Sequence, residues 1–186
     1  MTKVTLASLI EVGLSPRSLF NLALGVNVGS AVWVTTIGGL IMYKNLPRPS
    51  FGKIQEKLLP AYFKMTTGLS ALMLGIHLKL GSSLHRSCHG CSDSTYVLRY
   101  LLASMTISSL VNLFYVGPKT TEIMNARHEL EAVEKKSYDD QDASDQMKLL
   151  NKQFSKMHGL SSGLNLIGFL VPSIFLGLWT GEYGLF

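Results

Sequence analysis

The chain has 186 residues, the length of one domain, and is 47% hydrophobic but only 16% charged, against about 25% charged in an average soluble domain. Asp, Glu, Lys and Arg are missing altogether between Arg17 and Lys44, between Arg99 and Lys119, and between Lys156 and Glu182. That spacing excludes an ordinary soluble enzyme, and the net charge of +5 comes without the interleaved aromatic and basic residues of a nucleic-acid binder.

The opening MTKVTLASLIEVGLSP has an early Lys3 and a mild apolar run. Glu11 interrupts the run and no small-residue cleavage site follows, so it reads as an amphipathic lead-in rather than a cleaved signal. A helix needs about 20 apolar residues to cross a hydrocarbon core of about 30 Å. The first charge gap meets that need and predicts a span over residues 18–43. In the following loop, KNLPRPSFGKIQEKLLP, Pro47 and Pro49 are expected to block a continuous helix. Ser50 is placed to cap a short helix running to Lys57, giving a compact connector on the membrane surface.

A second span is expected over residues 58–80. Lys64, His77 and Lys79 leave only Met65 to Ile76 uncharged, too short to cross alone. The lysine stems lengthen it by running back to the headgroups; an interfacial or re-entrant segment is the alternative. The next loop holds both cysteines, in His85-Arg-Ser-Cys88-His89-Gly-Cys91. Two thiols at this spacing beside imidazoles suit a disulfide, a zinc or copper site, or a redox dithiol. Haem attachment would need His directly after the second Cys, where Ser92 stands.

The third span is predicted over 100–117, and a helical loop over 119–157. Pro118 with Thr120 or Thr121 marks its helix start, Ile123, Ala126, Leu130 and Val133 recur at helical spacing, and Glu131 pairs with Lys135. Asp139 to Asp145, DDQDASD, turns the chain; it lacks the central Gly and final Glu of a helix-loop-helix calcium site. Met147, Leu150, Phe154 and Met157 then lead as an apolar stripe into the fourth span, 159–181, a stripe suited to a partner helix or the interface.

The fold predicted is all-α: an integral membrane four-helix bundle with a cytosolic helical loop between spans three and four. Twelve Lys and Arg fall in the loops 44–64 and 119–156, against five on the other side, so the positive-inside rule places those loops in the cytosol. Polar residues in spans are costly and should face other helices or a cavity. Asn112, His158, Ser161, Ser162 and Asn165 gather near the cytosolic ends, either as a polar pocket or as bonds between helices. Gly25 with Gly29, and Gly159 with Gly163, have the small-xxx-small spacing of close helix contacts. Catalytic signatures such as HExxH, GxSxG or a phosphate loop are absent, and the chain reads as a non-enzyme with no cofactor.

Trp33-Val34-Thr35, Leu46-Pro47-Arg48, Phe51-Gly52, Lys57-Leu58, Pro60 and Tyr62-Phe63 resemble the transmembrane protein 205 family in order and spacing. So do Pro118, Thr120-Thr121 and Met124, and then Phe154 with His158-Gly159-Leu160-Ser161-Ser162 and Asn165-Leu166. The resemblance implies four helical spans, a fold like that of bacterial copper-resistance membrane proteins, and a link to platinum-drug tolerance, with no established activity. It leaves two functions from different classes. One is small-solute, drug or metal handling; the other is a structural or interaction role in the endoplasmic reticulum or another secretory-pathway membrane. Expected partners are the lipid bilayer and a membrane protein or second copy of the chain.

Overall fold

The computed structural model describes residues 5–84 and 92–183, and every regular element among them is helical. A short lead-in, α1 (Leu6–Gly13), precedes α2 (Pro16–Val32), which Ser15 caps by accepting the Ser18 N–H at 3.2 Å. A π-helical turn, Trp33–Gly38, joins α2 to α3 (Gly39–Asn45) without a break. After a two-residue turn comes α4 (Arg48–Leu84), 37 residues long. Next, α5 (Ser92–Val111) passes through a π-turn, Asn112–Val116, into α6 (Gly117–Glu134). Finally α7 (Asp145–Asn165) continues through a π-turn, Leu166–Leu170, into α8 (Val171–Tyr183).

Three of these rods, Pro16–Asn45, Tyr96–Glu134 and Asp145–Glu182, are long and apolar enough to cross a membrane. They match the three charge gaps. The fourth rod, α4, has the length but not the hydropathy. It packs most extensively on α5 and α2, and Tyr62, Phe63, Thr66, Ser70, Met73 and His77 form its buried stripe. Large apolar side chains such as Phe114, Ile167 and Leu178 point outward, as lipid-facing residues do. The His85–Cys91 loop, with Cys88, His89 and its disulfide, metal or redox readings, lies outside the described residues.

Several local expectations are corrected. The stretch after Pro47 is no separate connector: α4 begins at Arg48 and runs through Pro49 and Ser50 without stopping. Pro49 falls in the first turn, where a missing N–H costs nothing, and the Phe51 N–H reaches the Pro47 carbonyl at 2.9 Å. Pro118 does not start a helix either, because the rod is continuous through it. The preceding π-turn widens the backbone, with the Gly117 N–H bonded to the Asn112 carbonyl, and so absorbs a proline that would otherwise break the helix. A Cβ at Gly117 would lie 2.5 Å from that carbonyl oxygen, so only glycine fits this turn. Pro172 follows the Leu166–Leu170 turn in the same relation.

The small-xxx-small pairs are not contact points: a Cβ at Gly25, Gly29, Gly159 or Gly163 would meet nothing within 4 Å. The expected Glu131–Lys135 pair does not form. Lys135 leaves the helix in the left-handed region at φ 51°, and Glu131 turns inward to other partners. Helices α6 and α7 pack on each other, with Ile123 and Met147 buried, but Val133, expected on the α6 stripe, is 79% exposed. The turn after α6 ends at Ser144, whose hydroxyl caps α7 by accepting the Met147 N–H at 3.1 Å. Across that turn Lys136 and Asp142 hydrogen-bond, which raises the Lys136 pKa and lowers that of Asp142.

Candidate functional site

Several polar side chains within the bundle hydrogen-bond a neighbouring helix, while Thr66, Thr106 and Ser173 bond their own. Asn27 Nδ2 donates to Ser70 Oγ at 3.3 Å, the Tyr62 hydroxyl to Asn165 Oδ1 at 2.8 Å, and Ser104 Oγ to the Gly168 carbonyl at 3.0 Å. Such bonds average about 0.6 kcal/mol in membrane proteins, so they fix register more than they add stability. Asn112 Nδ2 donates to the Ser161 carbonyl at 3.1 Å, while its buried Oδ1 has no partner among the described residues.

On the loop side of the bundle, α3, the start of α4, α6 and α7 diverge around a cavity of about 860 Å³. That is within the roughly 300–1,000 Å³ of small-molecule sites. Its floor, deep in the rods, includes Val34, Thr35, Phe63, Asn165 and Leu170. Its mouth includes Arg48, Arg127, His128, Tyr138 and Asn151. His158, Ser161 and Ser162 lie between the two levels on one face of α7. Four of the five residues expected to form a polar pocket therefore line one space; Asn112 does not, and it holds the Ser161 carbonyl of α7 from the π-turn that follows α5. Of the motif residues, Thr35, Arg48, Phe51, Gly52, Thr120, Thr121 and His158 line the cavity, while Trp33, Pro47, Pro60, Pro118 and Gly159 do not. Gly52 lets α4 approach α6: a Cβ there would lie 2.6 Å from His128 Cε1.

The mouth is organised by a ladder of cations and rings. Arg48 forms an ion pair with Glu131 at 2.8 Å and sits 3.3 Å over the Tyr138 ring. Arg127 lies 4.7 Å from the same ring and 4.4 Å from that of Phe154. Phe154 in turn stacks on His158 with centroids 5.4 Å apart and planes 5° from parallel. Tyr138 is held by its backbone. Its N–H donates to Glu131 Oε1 at 2.8 Å and its carbonyl accepts from Asn151 Nδ2 at 2.7 Å. The loop 135–144 is thus fastened across the mouth. Cation–π contacts of this kind are worth about 0.5–2 kcal/mol each, more when water is excluded.

Arg127, Glu131, Tyr138 and Asn151 are site residues that the sequence reading does not anticipate. One signal for Arg127 is present in the sequence, since it stands four residues after Ile123 and three before Leu130, on the apolar face of α6. No group of three His, Cys, Asp or Glu side chains placed to hold a metal occurs among the described residues.

The chain is 27% identical over 181 residues to Transmembrane protein 205 of Danio rerio, an alignment covering 89% of this chain and 93% of that protein. No solved structure matches it. The family model described as Domain of unknown function (DUF4149) matches residues 22–129, from α2 through most of α6 and so three of the four cavity walls. That match spans more than half of the chain, and this membrane protein belongs to the DUF4149 family.

Proposed function

We propose that the chain is a four-pass membrane protein whose loop-side cavity admits a small organic solute, as a carrier or an accessory in solute or drug handling. The observation that carries this reading is the cavity itself, with hydroxyls, an amide and an imidazole of α7 set into largely apolar walls. Hydroxyls, guanidiniums and rings suit an organic molecule better than a bare transition-metal ion, which favours clustered thiolates, imidazoles or carboxylates.

In this reading α4 is the remaining span. Its packing between α2 and α5 supports that placement, as do the exposed Met65, Leu72 and Leu78 on its other faces. Lys64 and Lys79 then reach the two headgroup layers. The excess of basic residues on the cavity side supports a cytosolic mouth, and we assign the protein to a secretory-pathway membrane such as the endoplasmic reticulum. A glycosylation acceptor inserted beside residue 93 is expected to be modified in microsomes, and one inserted beside residue 142 to stay bare. The reverse pattern would invert the bundle.

The cavity is tested directly with Ser161→Cys in a Cys88→Ser, Cys91→Ser background. A charged methanethiosulfonate should modify the new thiol from the loop side, and Leu166→Trp, which fills the space, should slow modification at least fivefold. An unreactive thiol would mean that the helices close dry, and the solute reading fails. The exposed apolar Val133 and Leu149 on the outer faces of α6 and α7 would then favour an interaction protein.

A further inference from the structure

Arg127 is 5% exposed, its Nε has no hydrogen-bond partner, and it forms no ion pair among the described residues. It lies between two rings at the cavity mouth. A buried guanidinium is costly unless an anion meets it, and ring contacts compensate only part of that cost. Glu131 favours the Arg127 charge from a distance but forms no ion pair with it. Glu131 Oε1 takes Arg48 and the Tyr138 N–H, Glu56 lies 3.7 Å from Lys57, and Asp139, exposed, accepts from Ser137 Oγ.

Below Arg127 the lining is mainly apolar through Leu59, Phe63, Leu166 and Leu170, with the hydroxyls of Thr35, Ser161 and Ser162 set into it. The space is also open to the side. Leu40 and Leu166 line it yet are 52% and 54% exposed, and α3 packs on α4 without substantial contact to α7 or the Leu166–Leu170 turn. With the rods spanning a bilayer as proposed above, that gap opens toward lipid acyl chains. A charged head site above a mainly apolar chamber with a lateral opening follows the polarity of a lipid monolayer, head to chain.

We propose that the cavity binds a single-chain anionic amphiphile drawn from the adjoining leaflet, its carboxylate or phosphate head on Arg127 and its chain on the apolar walls. This rests on the solute reading above and names the solute's class. Arginine suits either head because its fork donates two parallel hydrogen bonds to carboxylate or phosphate oxygens. Arg48 lines the same mouth with its charge shared with Glu131, and burial lowers the His128 pKa, so His128 adds positive charge only under acid conditions.

The test is saturation binding of tritiated oleate, oleoyl lysophosphatidate and uncharged monooleoylglycerol to the full chain in phosphatidylcholine nanodiscs. At least one of the two anions should bind one per chain, at least tenfold tighter than monooleoylglycerol. Arg127→Gln should bring the anions to the level of monooleoylglycerol and leave the latter unchanged, whereas Leu166→Trp should weaken all three at least fivefold. Should Arg127→Gln fail to fold, Arg127→Lys, which keeps the charge but loses the fork, should still favour the anions, by a smaller factor. Tighter oleate assigns a fatty acid, tighter lysophosphatidate a phospholipid head, and either supports the site. Equal binding of charged and uncharged probes, or anion binding indifferent to Arg127→Gln, overturns it. If no probe binds while the Ser161→Cys thiol stays reactive, the amphiphile is wrong and the solute cavity stands. If that thiol is also unreactive, both fall.

Discussion

Gly168→Leu is expected to destabilise the bundle by about 2–4 kcal/mol, the range for overpacking plus one lost interhelical hydrogen bond. A Cβ at Gly168 would lie 2.1 Å from Ser108 Oγ and 2.9 Å from Ser108 Cβ. The hydroxyl can rotate away, but the Cβ is fixed to the α5 backbone, so the two rods must separate. Separation also pulls the Gly168 carbonyl from Ser104 Oγ, now at 3.0 Å. Unfolding midpoints in mixed micelles measure the loss. Gly163→Leu is the control, because a Cβ there meets nothing within 4 Å. Ser108→Gly should recover a large part of the loss from Gly168→Ala, and this coupling separates a clash between helices from an effect within the π-turn. Equal midpoints for Gly168→Leu and Gly163→Leu would refute the close contact.

Gly168 also shows where sequence reading stops. Paired glycines at Gly25/Gly29 and Gly159/Gly163 stand out because their spacing is periodic, whereas the tight contact falls on a lone glycine inside a π-turn. Spacing rules assume a regular 3.6-residue helix, and each π-turn rotates the next stretch of helix out of that register. The rods themselves are readable because charge is so costly in lipid that its absence marks three of them directly. Rod α4 is harder, since Lys64, His77 and Lys79 sit within it and Pro49 resembles a stop when it is a tolerated first-turn residue. His158, Ser161, Ser162 and Asn165 can be grouped because they share one face of one helix. Arg127, Tyr138 and Glu131 cannot, because their meeting with Arg48 depends on how the 135–144 loop folds back. Asn112 escapes for a related reason. Polarity shows that a side chain must avoid lipid, but not whether it faces a cavity or a neighbouring carbonyl.

That loop gives the second large effect. Glu131→Ala is expected to cost about 2–3 kcal/mol, toward the upper end for hydrogen bonds to a charged group, discounted because the Arg48 side chain is 33% exposed. One carboxylate oxygen holds both Arg48 and the Tyr138 N–H at 2.8 Å, so its removal leaves two donors unsatisfied at once. Lys135→Ala should change stability by less than about 0.5 kcal/mol, the scale of a surface position without special features. An intrahelical Glu131–Lys135 pair would predict similar small losses from both substitutions, so thermal midpoints of the two variants decide between the arrangements. The effect should also be local. Amide exchange across residues 138–144 should speed up in Glu131→Ala while α2 and α5 stay protected, because the loop is fastened mainly through Glu131, Asn151 and the Arg48 stack. Since the loop lies across the cavity mouth, the Ser161→Cys thiol should react faster in the same variant. Faster exchange without faster thiol reaction would mean that the loop is fastened as described but does not limit access, leaving the gap between α3 and α7 as the route in.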